Sequence, residues 1–319
     1  MSIVVTGSIA FDNIMNFPGY FKDHILPEKV HVLSVSFLVD TLKRQRGGAG
    51  ANVAYNLSLL GERVRLLGAV GEDFDEYRGW LESQGVDTSS VWTVPGELTA
   101  SAFITTDLDD NQITGFYPGA MRQAVDLSLS EMDDDVSLAV ITPDDPGAMA
   151  KYPGECRDLG IPYVYSPGQQ IVSLSSEQLI DGMTGARCVI GNNYEMEMIA
   201  SRTGHSTSDL LDLAAMVITT FGDRGSKITT ADGVVDVDAV APAKVVDPTG
   251  AGDAYVAGIA RGLSRGDAPE DFGRVASLAA SHAIAEYGTQ AHTYGPAEFS
   301  KECVARFGED LLASGREPL

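Results

Sequence analysis

The chain has 319 residues, 44% hydrophobic and 21% charged, a globular composition with enough length for a large core. Its 22 Lys and Arg stand against 45 Asp and Glu, and the net charge of −23 argues against nucleic acid or an anionic membrane as partner. No run approaches the roughly 18 apolar residues of a membrane span, no basic leader predicts a signal peptide, and Cys156, Cys188 and Cys303 lack the CxxC spacing of a zinc site, which suits a reducing, cytoplasmic compartment.

β-rich runs and helical patterns alternate from end to end. Residues 3–5 predict a strand, 51–60 a helix stopped by Gly61, 64–70 a strand and 73–84 a helix stopped by Gly85. Further strands are expected over 138–142, 163–165, 188–190 and 216–220, with helices over 175–181 and 194–202 between them. The last third reads as helices over 254–263, 271–286 and 296–312. This alternation predicts an α/β fold, a mainly parallel sheet covered by helices on both faces. Two segments break it. Residues 31–43 read as one extended strand, and 100–117 as two strands joined by a polar turn at 107–111. They predict either a small antiparallel sheet that acts as a lid or an edge extension of the main sheet.

Five motifs could carry chemistry. In Asp247-Pro248-Thr249-Gly250-Ala251-Gly252-Asp253 a glycine-rich turn opens a helix, leaving unpaired N–H groups suited to a phosphoryl group. Asp253 then falls in the first helical turn, either as the acceptor of a proton from an attacking hydroxyl or as a cap and dipole partner. The turn lacks the last glycine of GxGxxG, where Tyr255 stands, and the Gly-Lys-Ser/Thr of a P-loop. Arg46-Gly47-Gly48-Ala49-Gly50-Ala51-Asn52 also leads into a helix, and Asn52 offers a polyol a donor and an acceptor. Past the first strand, Asp12 can accept bonds from vicinal hydroxyls or close an Asx-turn. Asn192 and Glu195, three apart at a helix start, suit a capping box or a carboxylate facing hydrated Mg²⁺. Thr220 to Gly225 reads as a turn between strand patterns.

Together and in this order, these motifs resemble the ribokinase-like (PfkB) family of carbohydrate and nucleoside kinases, from Ile3 to about Tyr294 and most specifically over 247–253. The family pattern is an early Gly-Gly, a central N-x-x-E and a late D-T-x-G-A-G-D, with Pro248 here standing where Thr is common. The resemblance implies a three-layer α/β/α ribokinase-like fold, one kinase domain over 1–319, with lid segments at about 12–45 and 98–118. It implies Asp253 as catalytic base and the amides of Gly250, Ala251 and Gly252 as anion hole. Asn192, Thr220, Gly222 and Gly225 would bind ATP, and Glu195 Mg²⁺. Asp12, Gly48 and Asn52 would contact the acceptor sugar. Asp247 and Thr249, with backbone near Gly288, would hold K⁺. Residues 116–121, 166–169 and 286–292 are similar to bacterial and archaeal adenosine or nucleoside kinases, although Ser166 replaces an expected Asp. The expected reaction is transfer from ATP to the 5′-hydroxyl of a nucleoside, adenosine first, with Phe11, Phe116 and Tyr117 as walls for the base. The alternatives are a sugar kinase of the same fold, which Lys43, Arg44 and Arg46 would suit if its sugar is phosphorylated, and a catalytically silent nucleotide-binding protein. A monomer or a homodimer joined through the lid is expected.

Overall fold

The computed structural model describes residues 1–25, 31–32, 34–109, 111–132 and 135–313. Short apolar runs with alternating inward residues form the centre of the main sheet. These are β1 (Ser2–Thr6), β4 (Val64–Val70), β9 (Val136–Ile141), β10 (Tyr163–Tyr165), β11 (Cys188–Asn192) and β12 (Met216–Thr220). With β5 (Val86–Asp87) at one edge, they pair in parallel in the order β12-β11-β10-β9-β1-β4-β5. β13 (Ser226–Thr230) and β14 (Gly233–Val237) extend the other edge antiparallel, and β6 (Val91–Thr93) pairs with the far end of β4.

Successive residues point to opposite faces, so Ile3 and Val5 enter one core while Val4 enters the other. The first core is covered by α1 (Ala49–Leu59), α2 (Asp75–Ser83), α6 (Ala251–Arg265) and α7 (Pro269–Ile284). The second is covered by α3 (Pro146–Leu159), α4 (Ser176–Met183) and α5 (Asn193–Thr203). α8 (Pro296–Phe307) packs outside α1 and α7 through Phe299 and Cys303. This is the three-layer arrangement the alternation predicts.

A separate four-stranded sheet stands off the main one, in the order β3-β2-β7-β8: β3 (Thr41–Gly47), β2 (Ala10–Asn16), β7 (Ala100–Thr106) and β8 (Gln112–Tyr117). It departs from expectation in three ways. It is mixed rather than antiparallel, because β2 and β7 run parallel. Its strand from the 31–43 segment begins only at Thr41, while Leu33 and residues 26–30 lie outside the described residues, as does Asp110 of the expected turn. Asp12 is not in an Asx-turn but in the middle of β2, paired with Gln45 and Ala102. The last helix ends at Phe307 rather than 312, because Gly308 takes the left-handed conformation, φ +83°, that stops it.

Candidate active site

The carboxyl ends of the parallel strands meet the start of α6. Gly250 opens that helix with φ +83°, and a Cβ there would come within 3.0 Å of Thr289. The backbone conformation favours glycine, and a side chain there would also press on Thr289. Gly250, not Asp253, is the N-cap, and no side chain caps the helix. The first-turn amides are thus left to an outside acceptor. The Ala251 N–H is partly committed, reaching the Pro248 carbonyl at 3.3 Å.

Asp253, at the third helical position, is held by a side chain from far away in sequence: Asn52 Nδ2 donates to its Oδ2 at 2.8 Å. Asn52 cannot flip, because its Oδ1 accepts from Thr289 Oγ1 at 2.9 Å and from Gln290 Nε2 at 3.0 Å. Gln290 Nε2 also donates to Tyr77 Oη, which donates to the Gly47 carbonyl at 3.0 Å. Burial pushes the Asp253 carboxyl up to about 7; the Asn52 bond opposes that shift, and the charges of Glu195 and Asp12 add to it. Thr289, Gln290 and Tyr77, which hold Asn52 in place, are residues that sequence reasoning gave no role.

A cavity of about 120 Å³ brings Asp253 and Gly252 together with Asn192, Glu195 and Thr220, and Ser166 lies in its wall. Asn192 and Glu195 form the full capping box of α5. Asn192 Oδ1 accepts the Glu195 N–H at 2.9 Å, and Glu195 Oε2 accepts the Asn192 N–H at 2.8 Å. Capping engages only one oxygen of Glu195, so a metal role is compatible with it. Burial raises the Glu195 carboxyl above its ordinary range, opposed by that backbone bond. Gly222 and Gly225 do not line this cavity; they shape the turn from β12 to β13. Asp247 ties two loops together, Oδ1 accepting from the Thr249 N–H at 2.9 Å and Oδ2 from the Gly288 N–H at 3.1 Å. No cluster of three His, Cys, Asp or Glu side chains suited to a metal occurs among the described residues.

Gly48 precedes α1 with φ +94°, and a Cβ there would lie 2.5 Å from the Ser8 carbonyl, which brings the glycine turn against the loop beyond β1. Burial pushes Asp12 up to about 6, helped by the charge of Asp247. Strand register decides which side chains share its face. Asp12, Gln45, Ala102 and Phe116 stand side by side across the small sheet and point one way. Phe11, Arg46, Ser101 and Tyr117 form the adjacent row and point the other way. The expectation that Phe11, Phe116 and Tyr117 wall one pocket is therefore wrong for two of the three. Phe11 packs on Tyr77 with ring centroids 5.5 Å apart, and Tyr117 Oη reaches Glu97 at 3.2 Å. Arg44 and Arg46 likewise face away from Asp12, and only Lys43 shares its side.

The profile of the pfkB family carbohydrate kinases matches residues 10–294. The chain belongs to the pfkB family of carbohydrate kinases. A nucleoside kinase of Methanothermobacter thermautotrophicus is 35% identical over 310 residues, 96% of this chain and 96% of that one. The structure of the Burkholderia thailandensis nucleoside kinase in complex with inosine has a TM-score of 0.87 at 35% identity, covering 97% of this chain and 99% of that one. The ADP-inosine complex of the same protein has a TM-score of 0.85 at 36% identity, covering 97% of each chain. The family member's two sheets, one mostly parallel and one small, are those of ribokinase-family structures, including the ribokinase of Thermotoga maritima.

Proposed function

We propose that this family member uses ATP to phosphorylate the 5′-hydroxymethyl group of a nucleoside, with adenosine or a related purine nucleoside as acceptor. The observation that carries this reading is the Asp253 carboxylate. It stands on an uncapped helix start, is held by Asn52, and is close enough to Glu195 and Asp12 to feel both charges. The near-full-length likeness to nucleoside kinases, one of them solved with ADP-inosine, supports the acceptor class.

In this reading Asp253 accepts the proton of the attacking hydroxyl. The Gly250, Ala251 and Gly252 amides stabilise charge on the transferring phosphoryl group, Ala251 least because its N–H is shared with Pro248. Asn192 and Thr220, with Gly222 and Gly225 in the adjoining turn, hold the nucleotide. Asp12, Gly48 and Asn52 hold the sugar, and Asn52 also aims Asp253. Such a transition state is loose, so positioning and charge stabilisation contribute more than base strength. The half-buried carboxyls of Asp253 and Glu195, of like charge, make a surrounding that favours a cation, and Mg²⁺, which keeps much of its water, fits a single carboxylate such as Glu195. Bound with ATP it would offset phosphate charge. Asp247 and Thr249 are the proposed K⁺ position. The small sheet is the lid, and its edges β3 and β8 are where two copies would join if the protein is a dimer. The buried free thiols of Cys156, Cys188 and Cys303 fit a cytoplasmic setting.

A phosphorylated-sugar acceptor is less well supported, since Arg44 and Arg46 face away from Asp12. The test is a kinase assay with ATP and Mg²⁺ on adenosine, inosine, guanosine, cytidine, ribose and fructose. A purine nucleoside should exceed both free sugars in kcat/KM by at least about tenfold, roughly 1.4 kcal/mol of transition-state binding. Turnover of sugars alone overturns the acceptor; failure to turn over ATP with any of the six overturns the kinase reading.

A further inference from the structure

A second cleft, of about 440 Å³, opens along the β3 edge of the small sheet, lined by Phe11, Arg44 and Arg46 from the face turned away from Asp12 and by Gln45 from the other. Its outer wall is β3 and its floor is α2, with the 287–291 loop closing one side. Strand β3 is unusual for so acidic a chain: Lys43, Arg44 and Arg46 fall within four positions, against a net charge of −23. Each cation lies over an aromatic ring. Arg44 is 3.5 Å from the Phe11 ring centroid, Arg46 is 4.7 Å from that of Trp80, and Lys43 Nζ is 5.2 Å from that of Tyr287.

The three cations are not equally committed. Arg44 is ion-paired with Asp73. Arg46 reaches Glu76 only at 3.5 Å, and the Glu76 side chain is 91% exposed, so water screens that pair and an incoming anion can displace it. The indole is held, because Trp80 Nε1 donates to Gln290 Oε1 at 3.2 Å. Tyr287 stands at the mouth, 44% exposed. A guanidinium fork that can take a phosphate, beside the half-exposed Tyr287 ring, in a cleft within the roughly 300–1,000 Å³ typical of small-molecule sites, describes a ligand with one planar ring and one phosphate.

We propose that this cleft is a binding site for a nucleoside monophosphate, separate from the site at Asp253. The phosphate binds Arg46, which lies over the Trp80 ring, and the planar ring of the ligand lies against Tyr287. The inner wall of the cleft is Thr289 and Gln290, the two residues that hold Asn52 Oδ1. A ligand there is therefore two hydrogen bonds from the Asp253 carboxylate. The site is inferred from its own side chains and stands whether or not the acceptor of the kinase reaction is a nucleoside.

Trp80 is a built-in reporter, since the only other tryptophan is Trp92. In a Trp92→Phe background, AMP should produce a saturable change in fluorescence. Arg46→Gln should weaken that binding at least about tenfold, and Tyr287→Leu, a change at the exposed mouth, should weaken it as well. Asp12→Asn should leave it intact. Inorganic phosphate alone and inosine alone should each bind more weakly than AMP. The proposal is overturned if no saturable change occurs, or if both cleft variants, shown folded by circular dichroism, bind AMP as the parent does. It is also overturned if the signal survives Arg46→Gln but is lost in Asp12→Asn, which would put AMP beneath the small sheet, or if phosphate alone binds as tightly as AMP.

Discussion

Burial makes Asp253 a stronger base than an exposed aspartate, and the same burial decides the pH at which it can act. Its carboxyl sits at about 7, so it is protonated below that pH and cannot accept a proton. The rate should therefore fall as pH drops through about 7, and kcat/KM against pH measures this. Removing the Asn52 bond removes an interaction that favours the charged form, so Asn52→Leu should shift that limb to higher pH as well as lowering the rate. Asp253→Asn keeps an acceptor for Asn52 and leaves α6 unaltered, since Gly250 is the cap. Turnover should drop on the order of 10²–10⁴-fold with the thermal midpoint nearly unchanged. A variant retaining most of its turnover would leave Asp253 a purely structural residue. What the sequence could reveal here was the glycine turn and the aspartate in it, because the N–H geometry of a helix start is local. The clamp on Asn52 was not legible: Thr289 and Gln290 lie 237 and 238 residues further along the chain, and only the fold brings them there.

Whole elements carry two further tests. The start of α5 has two compatible roles, which Glu195→Gln separates, because a glutamine still accepts the Asn192 N–H and completes the box. The helix and the thermal midpoint should survive, while the Mg²⁺ concentration for half-maximal rate rises; an unchanged titration would leave capping as the whole role. In the small sheet, register puts Phe116 on the side of Asp12 and Tyr117 on the opposite side. Phe116→Ala should raise the KM for a purine nucleoside several-fold and leave free-ribose turnover little changed, while Tyr117→Ala should do neither. Equal losses in both variants would show that the sheet acts only as a cover. The sequence could not separate neighbouring aromatics, since facing follows from strand pairing and a shift of one residue reverses it. Nor could it find β2, where Asp12 and Asn13 are poor strand formers, or α3, which contains Pro153 and Gly154. α3 stands because Pro146 occupies the first turn, where no N–H is needed, and Asp145 caps it through the Gly147 N–H at 2.8 Å. Elements with an ordinary period and a glycine stop, such as α1 and α2, were readable from pattern alone.

For the whole molecule the dominant quantity is charge. Acids exceed bases by 45 − 22 = 23, so beyond its ion pairs the folded chain holds a large excess of like charge that unfolding would spread apart. Salt acts on both sides of this balance. It weakens exposed surface pairs such as Lys22–Asp109 and Arg63–Asp135, and it screens the repulsion among the excess acids. With twice as many acids as bases the repulsion is the larger sum. The Debye length falls from about 10 Å at 0.1 M to about 3 Å at 1 M, which reaches between neighbouring surface carboxylates. The thermal midpoint should therefore rise between about 0.1 M and 1 M salt, and screening predicts the same rise in NaCl and KCl. The comparison also tests the loop closure at Asp247. If the proposed K⁺ position beside Thr249 binds its ion only in the folded state, KCl should add stability that NaCl does not, saturating well below 1 M. A flat or falling midpoint in NaCl would show that repulsion does not limit this fold. Coincident KCl and NaCl curves in both stability and rate would remove K⁺ from the Asp247 loop and leave that carboxylate to tie the Thr249 and Gly288 amides together.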